Sequence, residues 1–90
     1  MTSGLAHLID DDEAIRDALA WLLRSRGVAS QSWSSAEAFL DDYHADMRGC
    51  LVLDIRMSGM SGPELFDRLL TLGCRLPTIL RPRAASPGSW

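Results

Sequence analysis

Short apolar segments alternate with amphipathic helical segments along most of this chain, and that alternation restricts its fold more than any other feature. Residues 5–9 and 50–54 are apolar at consecutive positions, which predicts strands buried on both faces. Residues 28–33 predict a weaker strand at a sheet edge, and a fourth strand begins at Pro77. Apolar residues at helical spacing predict helices over 13–26, 35–46 and 62–72. The order βαβαβαβ predicts an α/β fold in which helices flank a parallel sheet with right-handed crossovers.

Short polar residues mark the start of each predicted helix. Asp12 is placed to cap the first helix. Ser34 and Glu37 have the spacing of a capping box at the second helix, and Ser61 and Glu64 have the same spacing at the third. These signals place the helix starts directly after the predicted strands or the loops that follow them.

Length and composition exclude several classes of protein. A chain of 90 residues forms at most one small domain. No apolar run approaches the roughly 18–20 residues of a membrane span, and no secretory signal is recognised, so we expect a cytoplasmic protein without a membrane partner. A net charge of −3 argues against a nucleic-acid surface. Cys50 and Cys74 do not form a disulfide framework and are predicted to be buried thiols.

Aspartates end two of the predicted strands. Asp10 and Asp11 follow the first strand, and Asp54 ends the third. Because the carboxyl ends of parallel strands meet at one edge of a sheet, these three side chains are expected within a few ångströms of each other. Clustered carboxylates repel unless a cation joins them or one is protonated, and Mg²⁺ suits such oxygen ligands. In the competing interpretation, the first aspartates only cap a helix and Asp54 is a turn residue.

Three segments of the chain resemble the receiver domain of bacterial response regulators, the CheY-like family. LIDDDEAIR (8–16) resembles the opening of that domain, and LVLDIRMSGMSG (51–62) resembles its phosphorylation loop. WSSAEAFL (33–40) resembles the entry to the second helix in the FixJ-like subfamily. The resemblance covers residues 5 to about 80. It implies a flavodoxin-like fold with strand order 2-1-3-4-5.

The resemblance also implies roles for individual residues. Asp54 corresponds to the acceptor of a phosphoryl group from a sensor histidine kinase. Asp10, Asp11 and Asp54 correspond to residues that hold Mg²⁺, with the main-chain carbonyl of Arg56 as a further ligand. Ser58 stands where members of this branch usually carry proline, a change that is expected to loosen the loop modestly without removing a ligand.

The resemblance ends after Leu80. Family members continue with a fourth helix, a fifth strand and a fifth helix, so the fold is expected to be incomplete. Pro82 stands near the family's Thr or Ser position, and the chain contains no lysine to match the family's lysine after the fifth strand. We therefore divide the chain into a truncated receiver domain (1–80) and an irregular tail rich in Arg, Pro, Ser and Gly (81–90).

An incomplete receiver is expected to leave apolar surface uncovered. The residues expected at that surface are Leu51, Leu53 or Val52, together with Ile79. A second copy of the chain or the tail could cover this face, and the edge of the fourth strand could pair in a homodimer. Arg81 or Arg83 could lie near the acidic edge of the sheet, although a solvated basic tail is the simpler interpretation.

Three functions from different classes are compatible with the sequence. The first is a two-component receiver that is phosphorylated at Asp54 in a Mg²⁺-dependent reaction and is not itself an enzyme. The second is a non-signalling remnant that acts as an interaction or dimerisation module. The third, a metal-dependent phosphohydrolase, lacks a visible general base or substrate cavity.

Overall fold

A computed structural model of the chain describes residues 5–82 and contains four strands and three helices within that range. None of these helices is long and apolar enough to cross a membrane. Strands and helices alternate along the described residues, as the sequence pattern predicts. The elements are β1 (Leu5–Ile9), α1 (Glu13–Ser25), β2 (Ala29–Trp33), α2 (Ala36–Asp42), β3 (Cys50–Asp54), α3 (Gly62–Thr71) and β4 (Thr78–Arg81).

The four strands form one parallel sheet in the order β2-β1-β3-β4. β1 therefore lies between β2 and β3, and the chain reverses its direction of winding at the boundary between β1 and β3. This topology confirms the predicted flavodoxin-like arrangement for the four described strands. In open sheets of this kind, ligands bind outside the carboxyl ends of the strands at that boundary.

The main core lies between one face of the sheet and the helices α2 and α3. Ile9 pairs in register with Leu53, and both side chains are fully buried in this core. Phe39 of α2 and Leu65 of α3 pack in the same cluster. Burial of large side chains here stabilises the sheet whose edge carries the aspartates, at about 1.5–3 kcal/mol for each.

The opposite face of the sheet is only partly covered. Leu8 of β1 is buried there, but Val52 is half-buried and Ile79 is 56% exposed. Leu51 and Leu53 point to the other face and are fully buried, so the prediction that they form the uncovered surface is wrong. The strand register explains this outcome, because successive residues of a strand point to opposite faces. Of the residues expected at that surface, Ile79 is exposed and Val52 is half-buried in the part of the chain that the structure describes.

Two of the three predicted helix starts are observed. Asp12 accepts hydrogen bonds from Ala14 N (2.9 Å) and Ile15 N (3.4 Å), and therefore caps α1. Ser61 and Glu64 form the predicted capping box at α3. The hydrogen bonds that Glu64 accepts, first that from the backbone N–H of Ser61, lower the pKa of its carboxyl.

The start of α2 differs from the prediction. Ser35, not Ser34, caps this helix, because the Ser35 hydroxyl accepts from Ala38 N at 3.0 Å. No capping box forms there, and Glu37 instead reaches another part of the chain. The helix also ends at Asp42 rather than at residue 46, because Tyr43 has an extended backbone and packs against the core.

The end of the sheet and the cysteines also refine the predictions. β4 continues through Arg81, which the predicted boundary at residue 80 assigns to the tail. Of the predicted tail, residues 83–90 lie outside the described residues, and Arg83 is among them. Cys50 and Cys74 are free thiols and are half-buried rather than fully buried.

Candidate functional site

Asp10, Asp11 and Asp54 lie together at the carboxyl edge of the sheet. β3 ends at Asp54, and the two other aspartates directly follow β1, the neighbouring strand. One carboxylate oxygen from each residue lies within 4.8 Å of those of the other two. The predicted juxtaposition is therefore observed, and it follows from the parallel pairing of β1 with β3.

Asp10 is buried and held by several hydrogen bonds. It is 5% exposed, and its backbone N–H donates to the carbonyl oxygen of Trp33 at 3.2 Å. The backbone N–H of Asp12 donates to Asp10 Oδ1 at 2.9 Å, which connects the acidic site to the cap of α1. Arg16 Nη1 donates to the carbonyl oxygen of Asp10 at 2.6 Å. These contacts fix both the backbone and the side chain of Asp10.

Asp54 is equally buried, with 4% of its surface exposed. The start of α3 lies close behind it, since the backbone N–H of Gly62 donates to the carbonyl oxygen of Ile55 at 3.1 Å. A Cβ atom at residue 62 would lie 3.0 Å from the carbonyl carbon of Asp54 and closer still to its oxygen. Glycine is therefore required at this position by close packing of α3 against the end of β3.

Asp11 is linked to the loop that joins β3 to α3. The backbone N–H of Ser58 donates to Asp11 Oδ2 at 3.0 Å, and the Ser58 hydroxyl lies 3.3 Å from the same oxygen. A proline at this position could donate neither bond. Serine therefore adds two contacts between the loop and Asp11, which the expectation of a looser loop did not include.

Glu37 holds the same loop from the other side. Its Oε2 atom accepts a hydrogen bond from the backbone N–H of Met60 at 3.1 Å. Gly59 lies against this carboxylate with φ +77, and a Cβ atom at residue 59 would lie 2.9 Å from Oε2. The sequence pattern assigned Glu37 to a helix cap, and no local signal indicated that it contacts a loop more than twenty residues away.

The sequence suggests Arg56, and either Arg81 or Arg83, at this edge, and the structure describes Arg56 and Arg81. Arg56 is exposed in the loop after Asp54. The role of its main-chain carbonyl as a metal ligand stays a prediction. Arg81 ends β4, and its Nη2 atom lies 4.0 Å from Asp10 Oδ2. A positive side chain therefore faces the acidic cluster from the neighbouring strand.

Comparison with known proteins identifies the family. The family model of the response regulator receiver domain matches residues 6–85. The chain belongs to the response regulator receiver family. It is 47% identical over 74 residues to the transcriptional regulatory protein FixJ of Azorhizobium caulinodans, covering 82% of this chain and 35% of that protein. It is 46% identical over 67 residues to the C4-dicarboxylate transport transcriptional regulatory protein DctR of Rhodobacter capsulatus, covering 74% of this chain and 34% of that protein.

Solved receiver structures agree with this assignment. The crystal structure of FixJ-N superposes with a TM-score of 0.84 at 39% identity, covering 97% of this chain and 70% of that one. The response regulator StyR superposes with a TM-score of 0.86 at 32% identity, covering 99% of this chain and 45% of that one. The receiver assignment and the CheY-like fold predicted from the sequence are thus confirmed. The chain spans about a third of the length of the curated relatives named above.

Proposed function

We propose that this receiver accepts a phosphoryl group at Asp54 from a sensor histidine kinase, in a reaction that requires Mg²⁺. The observation that carries the proposal is the cluster of Asp10, Asp11 and Asp54 at the carboxyl edge of the sheet. Family membership supports it, because the matching relatives are response regulators of two-component systems. We also propose that the chain acts in the cytoplasm, where such a kinase would present its phosphohistidine.

The proposed transfer requires one nucleophilic oxygen. A carboxylate oxygen of Asp54 attacks the phosphorus atom of the kinase phosphohistidine, a new P–O bond forms, and the P–N bond breaks. The leaving histidine nitrogen takes up a proton. Asp54 is buried at the end of β3, and the hydrogen bonds from Ser58 to Asp11 and from Met60 to Glu37 hold the adjoining loop in place.

The donor set of this site fits Mg²⁺. Asp10, Asp11 and Asp54 offer carboxylate oxygens, which are ligands that this hard cation prefers, and the main-chain carbonyl of Arg56 is the proposed further ligand. Bound Mg²⁺ would neutralise charge on the incoming phosphoryl group and the carboxylates. Asp10 is held for this role by the contacts of its backbone and of Oδ1.

Intact mass spectrometry after incubation with acetyl phosphate tests the proposal. The unmodified chain is expected to gain the mass of one phosphoryl group in the presence of Mg²⁺ and none in the presence of EDTA. Asp54→Asn is expected to abolish the adduct. Asp12→Asn is the matched control, because it makes the same chemical change beside the site and asparagine still caps α1. An adduct on Asp54→Asn, or none on a folded unmodified chain, contradicts the proposal.

A second candidate is an interaction module that forms a homodimer through the partly covered sheet face. The exposed side chains Leu22 of α1 (53%) and Ile79 of β4 (56%) favour this function. Sedimentation velocity at micromolar concentration is expected to show a dimer that Ile79→Asp disrupts. Leu70→Asp is the control, because Leu70 is equally exposed (54%) but lies on α3, across the sheet. A monomer at all concentrations rejects this candidate.

The proposal also implies that the chain is not an enzyme with a turnover reaction. Asp54 takes its phosphoryl group from a high-energy donor, and water later hydrolyses the acyl phosphate to the free carboxylate and inorganic phosphate, so a stable phosphate ester is not a substrate. Incubation with p-nitrophenyl phosphate and Mg²⁺ is expected to release no nitrophenolate above the rate of the Asp54→Asn variant. Sustained release that depends on Asp54 would instead favour a phosphohydrolase.

A further inference from the structure

We propose that Arg81 is an internal counter-ion of the acidic site and weakens its affinity for Mg²⁺. This inference rests on the metal site of the proposed function, but it concerns a residue outside the acidic cluster. The observation that carries it is the approach of the Arg81 guanidinium to Asp10 from the neighbouring strand β4.

The backbone places Arg81 beside the proposed phosphoacceptor. Arg81 is the register partner of Asp54 in the pairing of β3 with β4. The backbone N–H of Ile55 donates to the carbonyl oxygen of Arg81 at 3.0 Å, which continues that pairing beyond the last residue of β3. Sheet pairing therefore fixes the Cα position of Arg81 next to that of Asp54. The long side chain can reach the acidic cluster without any change in the backbone.

The contact with Asp10 is a charge–charge contact rather than a hydrogen bond. Arg81 Nη2 lies 4.0 Å from Asp10 Oδ2, beyond hydrogen-bonding distance. The arginine side chain is 27% exposed, whereas that of Asp10 is 6% exposed. The guanidinium can thus move toward solvent at little cost, while the carboxylate stays in place. A partner of this kind offsets the repulsion among the carboxylates and can be displaced by another cation.

Arg16 has a different role, although it also lies beside Asp10. Its Nη1 atom donates to the carbonyl oxygen of Asp10 at 2.6 Å, so its hydrogen bond goes to the backbone and not to the carboxylate. The Arg81 guanidinium, by contrast, approaches a carboxylate oxygen of Asp10. Arg81 is therefore the residue at which a change of side-chain charge tests competition with Mg²⁺.

Removal of the Arg81 charge is expected to tighten Mg²⁺ binding. The guanidinium and the metal ion repel each other and compete for the same carboxylate charge, over distances at which screened charges still interact. Because Arg81 is partly exposed, solvent screening reduces the effect. We expect the Kd of Mg²⁺ to fall by about three- to tenfold in Arg81→Gln, with no loss of site ligands.

Isothermal titration of the full chain with MgCl₂ tests the inference at constant ionic strength. Arg81→Lys keeps the charge and is expected to stay within about twofold of the unmodified chain. Arg75→Gln makes the same change of charge at an exposed residue before β4, at the opposite end of the strand, and is expected to leave the Kd unchanged. Circular dichroism establishes that each variant is folded. If Arg81→Gln does not fold, Arg81→Met, which keeps an unbranched apolar stem, replaces it.

The outcomes separate this inference from the proposed function. Tighter binding in Arg81→Gln but not in Arg75→Gln supports the counter-ion, whether or not acetyl phosphate modifies Asp54. Binding of Mg²⁺ only after removal of the Arg81 charge also supports it. An unchanged or weaker affinity in Arg81→Gln overturns the inference alone. A failure of Mg²⁺ to bind either protein overturns both the inference and the metal requirement of the proposed function. Absence of a phosphoryl adduct on Asp54 overturns the proposed function alone.

Discussion

Replacement of Gly62 by alanine tests how closely α3 packs against the end of β3. Glycine is unfavourable in helices, and this residue does not have a positive φ, so by propensity alone alanine would stabilise the chain by up to about 1 kcal/mol. The structure predicts the opposite sign. The added Cβ would lie 3.0 Å from the carbonyl carbon of Asp54 and 3.1 Å from Cα of Ile55.

The size of the effect follows from the displacement that these contacts require. Favourable contacts between carbon atoms are about 3.5–4.0 Å, so the start of α3 must move by roughly 0.5 Å or more. Overpacking of this kind costs typically about 1–3 kcal/mol, and we expect Gly62→Ala to lower the free energy of unfolding by about 2 kcal/mol. Because the clash is with Asp54, the variant is also expected to bind Mg²⁺ more weakly.

Urea denaturation followed by circular dichroism measures this change. Gly73→Ala is the matched control, because Gly73 follows the last turn of α3 with φ +83 and a Cβ there meets nothing within 4 Å. That variant is expected to lose about 1–2 kcal/mol through backbone strain alone, without a change in Mg²⁺ affinity. A Gly62→Ala protein that is as stable as the unmodified chain, or more stable, would refute the packing argument.

Three further predictions concern side chains around the site. Glu37→Gln keeps an oxygen that can accept from Met60 N–H but removes the negative charge of the side chain. In urea denaturation it is expected to lower the free energy of unfolding by up to about 1 kcal/mol, less than Glu37→Ala does. Equal losses of stability in the two variants would contradict this. Ser58→Pro removes both donors to Asp11 and is expected to increase amide exchange in the 55–61 loop; unchanged exchange would show that these bonds do not hold it. The pKa of Glu64 is lower in the folded chain than in the unfolded chain, so ionised Glu64 stabilises the fold at pH values above its unfolded-state pKa. This stabilisation is lost as the pH falls through the lowered pKa, so the urea midpoint of Glu64→Gln is expected to fall less on acidification than that of the unmodified chain. Parallel curves of urea midpoint against pH would argue against this role.

Local sequence patterns were sufficient for the element order and for most helix ends. Asp12 and the Ser61–Glu64 pair act through hydrogen bonds to residues two or three positions away, so their signals are contained in short segments. The same reasoning failed at Ser34, because Ser34 and Ser35 both have side chains that can cap a helix. Which of them caps α2 depends on where the helix packs in the core, with Ala36 and Phe39 fully buried.

The sequence by itself determined the parallel α/β fold and the meeting of Asp10, Asp11 and Asp54. An apolar run that ends in aspartate predicts both a buried strand and a carboxylate at its carboxyl end. Parallel pairing of the strands then brings these ends together at one edge of the sheet. Only the tertiary structure decided which residues support that cluster. Glu37 and Arg81 approach from other elements, and such contacts depend on packing and strand register rather than on any local spacing.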